Sequence, residues 1–407
     1  MLSSNGFAEL PLHEGEVPEW LMKRMKTLGS LIARFVVEEY GPGELVRRLS
    51  DPFWFQAFNN VIGMDWDSSG STTVVLYVLK SAFPPSGFRD HGVAVLGGKG
   101  RDAREVPREA GLLSSALDPG ELVKASRLAA KVDSVALQDG YSLYIHGVVV
   151  SASGEILVVQ QGMNTRLKTA RRYHLRVEER GARSLDRDPH SGVASQRIAP
   201  ALNLVDGESG EARRAILDIV ESTPVGSLTQ QLYEVNRLLK RAPSLLAYAT
   251  GAPKAPPSEL AEKVRKCPSF YRPVADVKRV ESIAEEIKKQ APREFGELLL
   301  VQGLGPEAMR AIALVADLIY GYEPSFRDPT TLLVDPFLYA YAHGGKDGVP
   351  YRVRPKDMDK TIEFFARAVD EVRAGDWEKR LLLRNFSRFV RRVVASYGSL
   401  ARSAPPN

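Results

Sequence analysis

The sequence holds a single cysteine among its 407 residues, Cys267. That excludes an internal disulfide and any zinc or iron–sulfur site built from several cysteines. No apolar run reaches the roughly 18 to 20 residues of a membrane helix, and the start lacks the charged and apolar stretches of a signal peptide. The expectation is a cytoplasmic chain with no membrane partner. Internal repeats and low-complexity tracts are missing, as is a Walker pattern. His91-Gly-Val-Ala-Val-Leu-Gly-Gly-Lys-Gly100 reads as a strand entering a glycine turn, but no Gly-Lys-Ser/Thr follows a four-residue spacer, which disfavours nucleotide hydrolysis. Its exposed amides and Lys99 suit a phosphate contact, or simply a surface turn.

What is present is an ordinary globular composition, 44% hydrophobic and 26% charged, long enough for two domains. The net charge of +5 is modest, but its distribution is uneven. Arg166, Lys168, Arg171, Arg172, Arg176, Arg180 and Arg183 face only Glu178 and Glu179. A second concentration, Lys379, Arg380, Arg384, Arg388, Arg391 and Arg392, falls on a C-terminal helical pattern. Either cluster alone reads as a solvated face; two in one balanced chain favour a polyanion.

The strongest strand signal pairs Tyr141–Val150 with Glu155–Gln161 across the turn-rich Ser151–Gly154, predicting an antiparallel hairpin. Beyond it lie Gln160, Gln161, Asn164, Arg171, Arg172, Tyr173 and His174, residue types that suit contacts to phosphates and base edges. Asp139 and Glu155 bracket the first strand and prompt comparison with a metal-dependent nuclease, although Leu157 stands where a restriction-type core wants lysine. Ser50-Asp51-Pro52 is a capped helix start, and the aromatics Phe53, Trp54, Phe55 and Phe58 after it read as core. From Glu211 onward the pattern is helical. The expected class is α+β: a mixed α/β domain over 1–205 with the antiparallel hairpin, then an all-α domain over 206–407.

The stretch Arg293–Gly345 organises the second half. Apolar residues at helical spacing flank Gln302-Gly303-Leu304-Gly305, and Pro306 suits the first turn of the following helix. Without side chains at Gly303 and Gly305, a phosphate could approach the amides of that helix start. A plain glycine turn between helices reads equally well.

Gln302–Gly305 with Ala308, and Val334-Asp335, resemble the helix-hairpin-helix DNA glycosylase superfamily, whose Val-Asp pair carries the catalytic aspartate. The resemblance implies Asp335 as catalytic carboxylate, and Tyr339, Tyr341 and His343 at a base pocket. Glu307 stands where lyase-competent members carry lysine, which implies hydrolysis without a Schiff base; Lys346 is the nearest alternative amine. Asp335 also suits a helix cap before Pro336. Across nearly the whole chain, GFAELPLH, LSDPFWFQ, GVAVLGGKG, QQGMN, ARRYH, PHSG, LNLV and LLVDPFLYAYAHGGKDG resemble a mostly archaeal family called domain of unknown function seven-six-three. The resulting expectation is a monomeric DNA glycosylase that needs no cofactor or metal, acting on double-stranded DNA with a lesion. A non-catalytic nucleic-acid binder is the alternative, and a metal-dependent nuclease is more distant.

Overall fold

The computed structural model describes residues 16–65, 68–114, 116–177, 187–195, 197–241, 259–331, 343–348 and 352–373. Four helices come first: α1 (Glu19–Tyr40), α2 (Pro42–Leu49), α3 (Pro52–Val61) and α4 (Gly70–Ala82). In α1, Leu21, Met25, Leu28, Gly29, Ala33 and Val36 form the buried stripe that helical periodicity requires. Gly29 lets α4 approach closely, since a Cβ there would stand 2.4 Å from Val78 Cγ1. The start of α3 is capped as its sequence predicts: Asp51 accepts from the Phe53 amide at 2.8 Å, and Pro52 occupies the first turn. Phe55 and Phe58 are core residues.

Next come the short α5 (Phe88–His91), β1 (Val93–Lys99), α6 (Val106–Gly111) and α7 (Pro119–Lys131). A π turn over Val132–Ala136 leads into β2 (Leu137–Gln138). The strands β3 (Ser142–Ser151), β4 (Ile156–Asn164), β5 (Thr169–Val177) and β6 (His190–Ser195) follow, then β7 (Leu202–Asn203). A five-stranded antiparallel sheet has the order β1-β3-β4-β5-β6, and β2 pairs with β7. The expected hairpin is the β3–β4 pair, closed at Ser151–Glu155 with Gly154 at φ 90°.

The remaining helices are α8 (Gly210–Ser222), α9 (Val225–Arg241), α10 (Glu259–Lys266), α11 (Val277–Gln290), α12 (Phe295–Leu300), α13 (Pro306–Leu318) and α14 (Pro355–Arg373). None of the described helices is long and apolar enough to cross a membrane.

Strand alternation sends side chains to two cores. Val93, Val95, Ile145, Val149, Leu157 and Val159 pack with α1–α4 and with Met358 of α14. Ala94, Leu96, Val148, Val158, Tyr173, Leu175 and Val193 pack with α7, α8, α9 and α11–α13. The sheet is therefore the middle layer of three, a mixed α+β arrangement. The second core is continuous across residue 206: Ala201, Leu202, Leu204 and Val205 belong to it together with Ala215, Ile216 and Ile219.

Candidate nucleic-acid interface

The segment between α12 and α13 is a tight turn. Gly303 sits at φ 82°, and a Cβ there would meet Ile283 Cδ1 at 2.9 Å. Gly305 is extended, at φ −120° and ψ 177°, and the nearest atom to a Cβ there would be the Gly303 carbonyl oxygen at 4.0 Å. The two glycines thus serve different ends. Gly303 supplies a backbone conformation that other residues adopt at a cost, and Gly305 leaves open space at the start of α13.

Residues distant in sequence hold this turn. Lys131, at the end of α7, donates to the Leu304 carbonyl, and Gln138 donates to the Pro306 carbonyl at 2.8 Å. Burial holds the Lys131 amine below its ordinary range. On the other side, the buried Arg310 of α13 donates to the carbonyls of Phe270 and Arg272 at 3.1 and 2.6 Å, and to Glu307 at 2.7 Å. Burial lowers its pKa, with Glu307 opposing. These bonds fix the 270–276 loop against the start of α13. Arg272 also pairs with Glu307.

Between loop and turn lies a pocket of about 470 Å³, lined by Arg272, Arg279, Gly303, Gly305, Pro306 and Glu307 among others. Two guanidiniums, that of Arg272 paired with Glu307, and the open start of α13 thus share one cavity. Such a place suits an anion through charge, free amides and the helix dipole.

The expected contacts around the sheet lie elsewhere. Gln160, Gln161, Arg171, Arg172 and His174 are all buried, because β4 and β5 are inner strands covered by helices on both faces. Their polar groups, the Arg171 Nε apart, are satisfied internally, in two networks pointing to opposite sides of the sheet. On the α7 side, Gln160 donates to the Ala129 carbonyl at 3.0 Å and to Asp133 at 2.5 Å. That leaves its Oε1 to accept from His146 Nδ1 at 2.9 Å, so His146 Nε2 accepts from the Ser126 hydroxyl at 2.7 Å. Asp133 also pairs with His190 at 2.6 Å.

On the same side, Arg171 bridges Asp139 and Asp328 at 2.9 and 2.8 Å, and Tyr173 donates to Asp139 at 2.7 Å. Burial pushes the Asp133 and Asp139 carboxyls up, opposed chiefly by His190 and Arg171 respectively. Toward α2–α4, Gln161 donates to the Ser69 carbonyl at 2.8 Å and pairs with Thr72 and Tyr144. Arg172 donates to His174 Nε2 at 3.0 Å and lies over the Phe55 ring. His174 Nδ1 then donates to the Leu49 carbonyl at 2.9 Å. Burial, reinforced by Arg172, holds that imidazole neutral and well below its ordinary pKa.

These five residues brace helices onto the sheet and present no surface for DNA in this structure. Amides and bases on a strand have two physical uses, and here burial decides for the internal one. Asn164 sits at the strand end, donating to the Gly140 carbonyl at 3.1 Å, and Lys99 is exposed at the end of β1. Asp139 and Glu155 stand beyond opposite ends of the ten-residue β3, roughly 30 Å apart at strand rise. They cannot share a metal ion.

Asp335, Tyr339, Tyr341 and the C-terminal basic cluster lie outside the described residues. His343 is buried, and burial lowers its pKa. Lys346 has an 11% exposed side chain and pairs with the buried Asp65 at 3.4 Å. Burial pushes the Asp65 carboxyl up. Asp65 follows Met64, in the core beneath α1–α4, whereas Leu304 and Met309 belong to the core on the other face. The sheet therefore separates Lys346 from the glycine turn, and the lysine that meets the turn is Lys131. Sequence spacing carried no sign of that, since Lys131 and Leu304 are 173 residues apart.

No curated protein and no solved structure matches the chain. A family model does, over residues 6–353, most of the chain. The protein belongs to the family described as Protein of unknown function (DUF763).

Proposed function

We propose that this chain binds DNA through the Gln302–Pro306 turn and removes a damaged or modified base by hydrolysing its N-glycosidic bond. The observation that carries the reading is the turn itself: Gly305 leaves the start of α13 open, in a pocket that also holds Arg272 and Arg279. A backbone phosphate placed there would be bound without sequence readout. The turn with the helices around it resembles the helix-hairpin-helix glycosylases, and the resemblance extends to Asp335. That carboxylate would stabilise the oxocarbenium-like sugar and orient water, after the base is flipped from the stack. Tyr339 and Tyr341 are the proposed stacking residues.

A panel of duplexes carrying single lesions, incubated in EDTA and then treated with hot alkali, tests the reading. Alkali-dependent breaks that disappear in Asp335→Asn support it. Full activity in that variant removes Asp335 from the mechanism. Breaks requiring magnesium would instead indicate a nuclease, and intact binding without breaks a non-catalytic binder.

A second reading, strand cleavage at an abasic site through a lysine amine, is favoured by Lys131. Its depressed pKa increases the neutral, nucleophilic fraction, and its amine already meets the turn. Borohydride trapping on abasic DNA separates the readings. An adduct lost in Lys131→Met but kept in Lys346→Met, at protein concentrations where both variants are shown to hold the abasic duplex, supports Lys131, and the converse supports Lys346. No adduct at all leaves hydrolysis.

A further inference from the structure

A second groove, of about 680 Å³, lies between α9 and the start of α11, lined by Tyr233, Asn236, Arg237, Lys240, Asp276, Val277 and Lys278 among others. It shares Val274, Ala275 and Asp276 with the pocket at the glycine turn, so one loop borders both. Tyr233, Arg237 and Lys240 recur at i, i+4 and i+7 and form one outward stripe of α9. The opposite stripe, Leu228, Leu232, Val235 and Leu239, is buried. Tyr233 is 57% exposed.

The wall opposite is fixed. Asn236 donates to the Val274 carbonyl at 3.0 Å and accepts from its amide at 2.7 Å, a paired bond that holds the loop before α11. Of the acids nearby, Asp276 caps α11 by accepting from the Arg279 amide, and Glu234 pairs with Arg237. Lys240 and Lys278 are exposed in the same groove. Cations thus outnumber acids along this groove.

We propose that this groove carries a single-stranded segment of nucleic acid, with Tyr233 stacked on an unpaired base and Arg237, Lys240 and Lys278 against its phosphates. A flat ring among flexible cations is the arrangement that binds single strands with little sequence preference, because every base offers a face to stack on. In a duplex those faces are occupied by neighbouring bases, so Tyr233 would gain little there. The direction of the strand, from groove to turn, rests on the function proposed above, but the groove's own binding does not.

The test is fluorescence anisotropy of the whole chain with labelled oligothymidylate and with a matched duplex, over a range of salt. Tyr233→Ala is expected to weaken the single strand about tenfold and leave the duplex within about twofold. Lys240→Gln combined with Lys278→Gln is expected to lower the slope of log Kd against log salt by about one or more. These side chains are exposed, so unchanged melting temperatures check that the fold persists. Tyr233→Ala binding oligothymidylate as tightly as the parent overturns the proposal, as does an unchanged salt slope in the lysine pair. Gly305→Glu provides the separation. If it spares all binding while Tyr233→Ala does not, the turn reading fails and the groove stands. If it abolishes duplex binding while Tyr233→Ala changes nothing, the groove fails and the turn stands.

Discussion

Lys131 at the end of α7 donates to the main-chain carbonyl of Leu304, across 173 residues of sequence. This bond fastens the glycine turn to the helix layer that covers the sheet. A hydrogen bond from a charged donor contributes about 1.5–3 kcal/mol when partly buried. Lys131→Met keeps the packing of the stem and loses the bond. It is expected to lower the melting temperature by several degrees and weaken duplex binding, read by calorimetry and anisotropy. Unchanged binding would show that the turn holds its shape without this anchor.

Gly303 and Gly305 are expected to respond differently to alanine. Gly303→Ala forces a side chain into φ 82° and against Ile283, a strain of about 1 kcal/mol or more. Gly305→Ala meets open space at an ordinary backbone angle. Its melting temperature should fall less than that of Gly303→Ala, by no more than alanine costs at a helix N-cap, while its methyl group stands where a phosphate would approach. The measurement is duplex affinity beside thermal stability; Gly305→Ala binding like the parent argues against phosphate contact there.

Arg171 carries a structural charge. Its side chain is 1% exposed and is paired with Asp139 and Asp328, which are 2% and 3% exposed. Arg171→Met strands two buried carboxylates, at an expected cost of about 3–5 kcal/mol. Chemical denaturation should show the loss, and adding Asp139→Asn and Asp328→Asn should recover part of it. If the triple variant is no better than the single one, stranded charge is not the cause.

His174 sets a pH dependence. Its folded pKa lies well below the ordinary 6.5, so in the window between the two the unfolded chain binds more protons. Stability from this group is present above about 6.5 and is lost as pH falls toward the folded value, by at most about 1.4 kcal/mol per pH unit. His146 and His343 act with the same sign. Asp65, Asp133 and Asp139, with raised pKa, act oppositely: their stabilising share is lost as pH rises through the folded values. Comparing His174→Asn with the parent isolates one group. Its melting temperature should be lower at neutral pH and fall less steeply toward pH of about 5.5. Parallel slopes would remove His174 from the account.

Much of the frame was legible because it is local. Asp51-Pro52 announced the start of α3, the runs on either side of Ser151–Gly154 announced β3 and β4, and Gly303 and Gly305 announced the turn between α12 and α13. Each depends on capping, alternation or backbone angle, properties of residues a few positions apart. The amides and arginines of β4 and β5 misled for the same reason. A strand's own sequence does not say whether its faces are covered, and here helices cover both.

The sequence by itself determined the secondary structure around the glycine turn, the mixed class and the family, because short-range chemistry and whole-chain similarity are written in residue order. Only the tertiary structure decided which charges meet that turn. Lys131, Arg272, Arg279 and Arg310 come from separate helices and loops, and packing on one face of the sheet brings them there. The same packing draws Gln160, Arg171, Arg172 and His174 inside and puts Lys346 on the far side. Burial and distance settle those placements, and neither can be read from spacing along the chain.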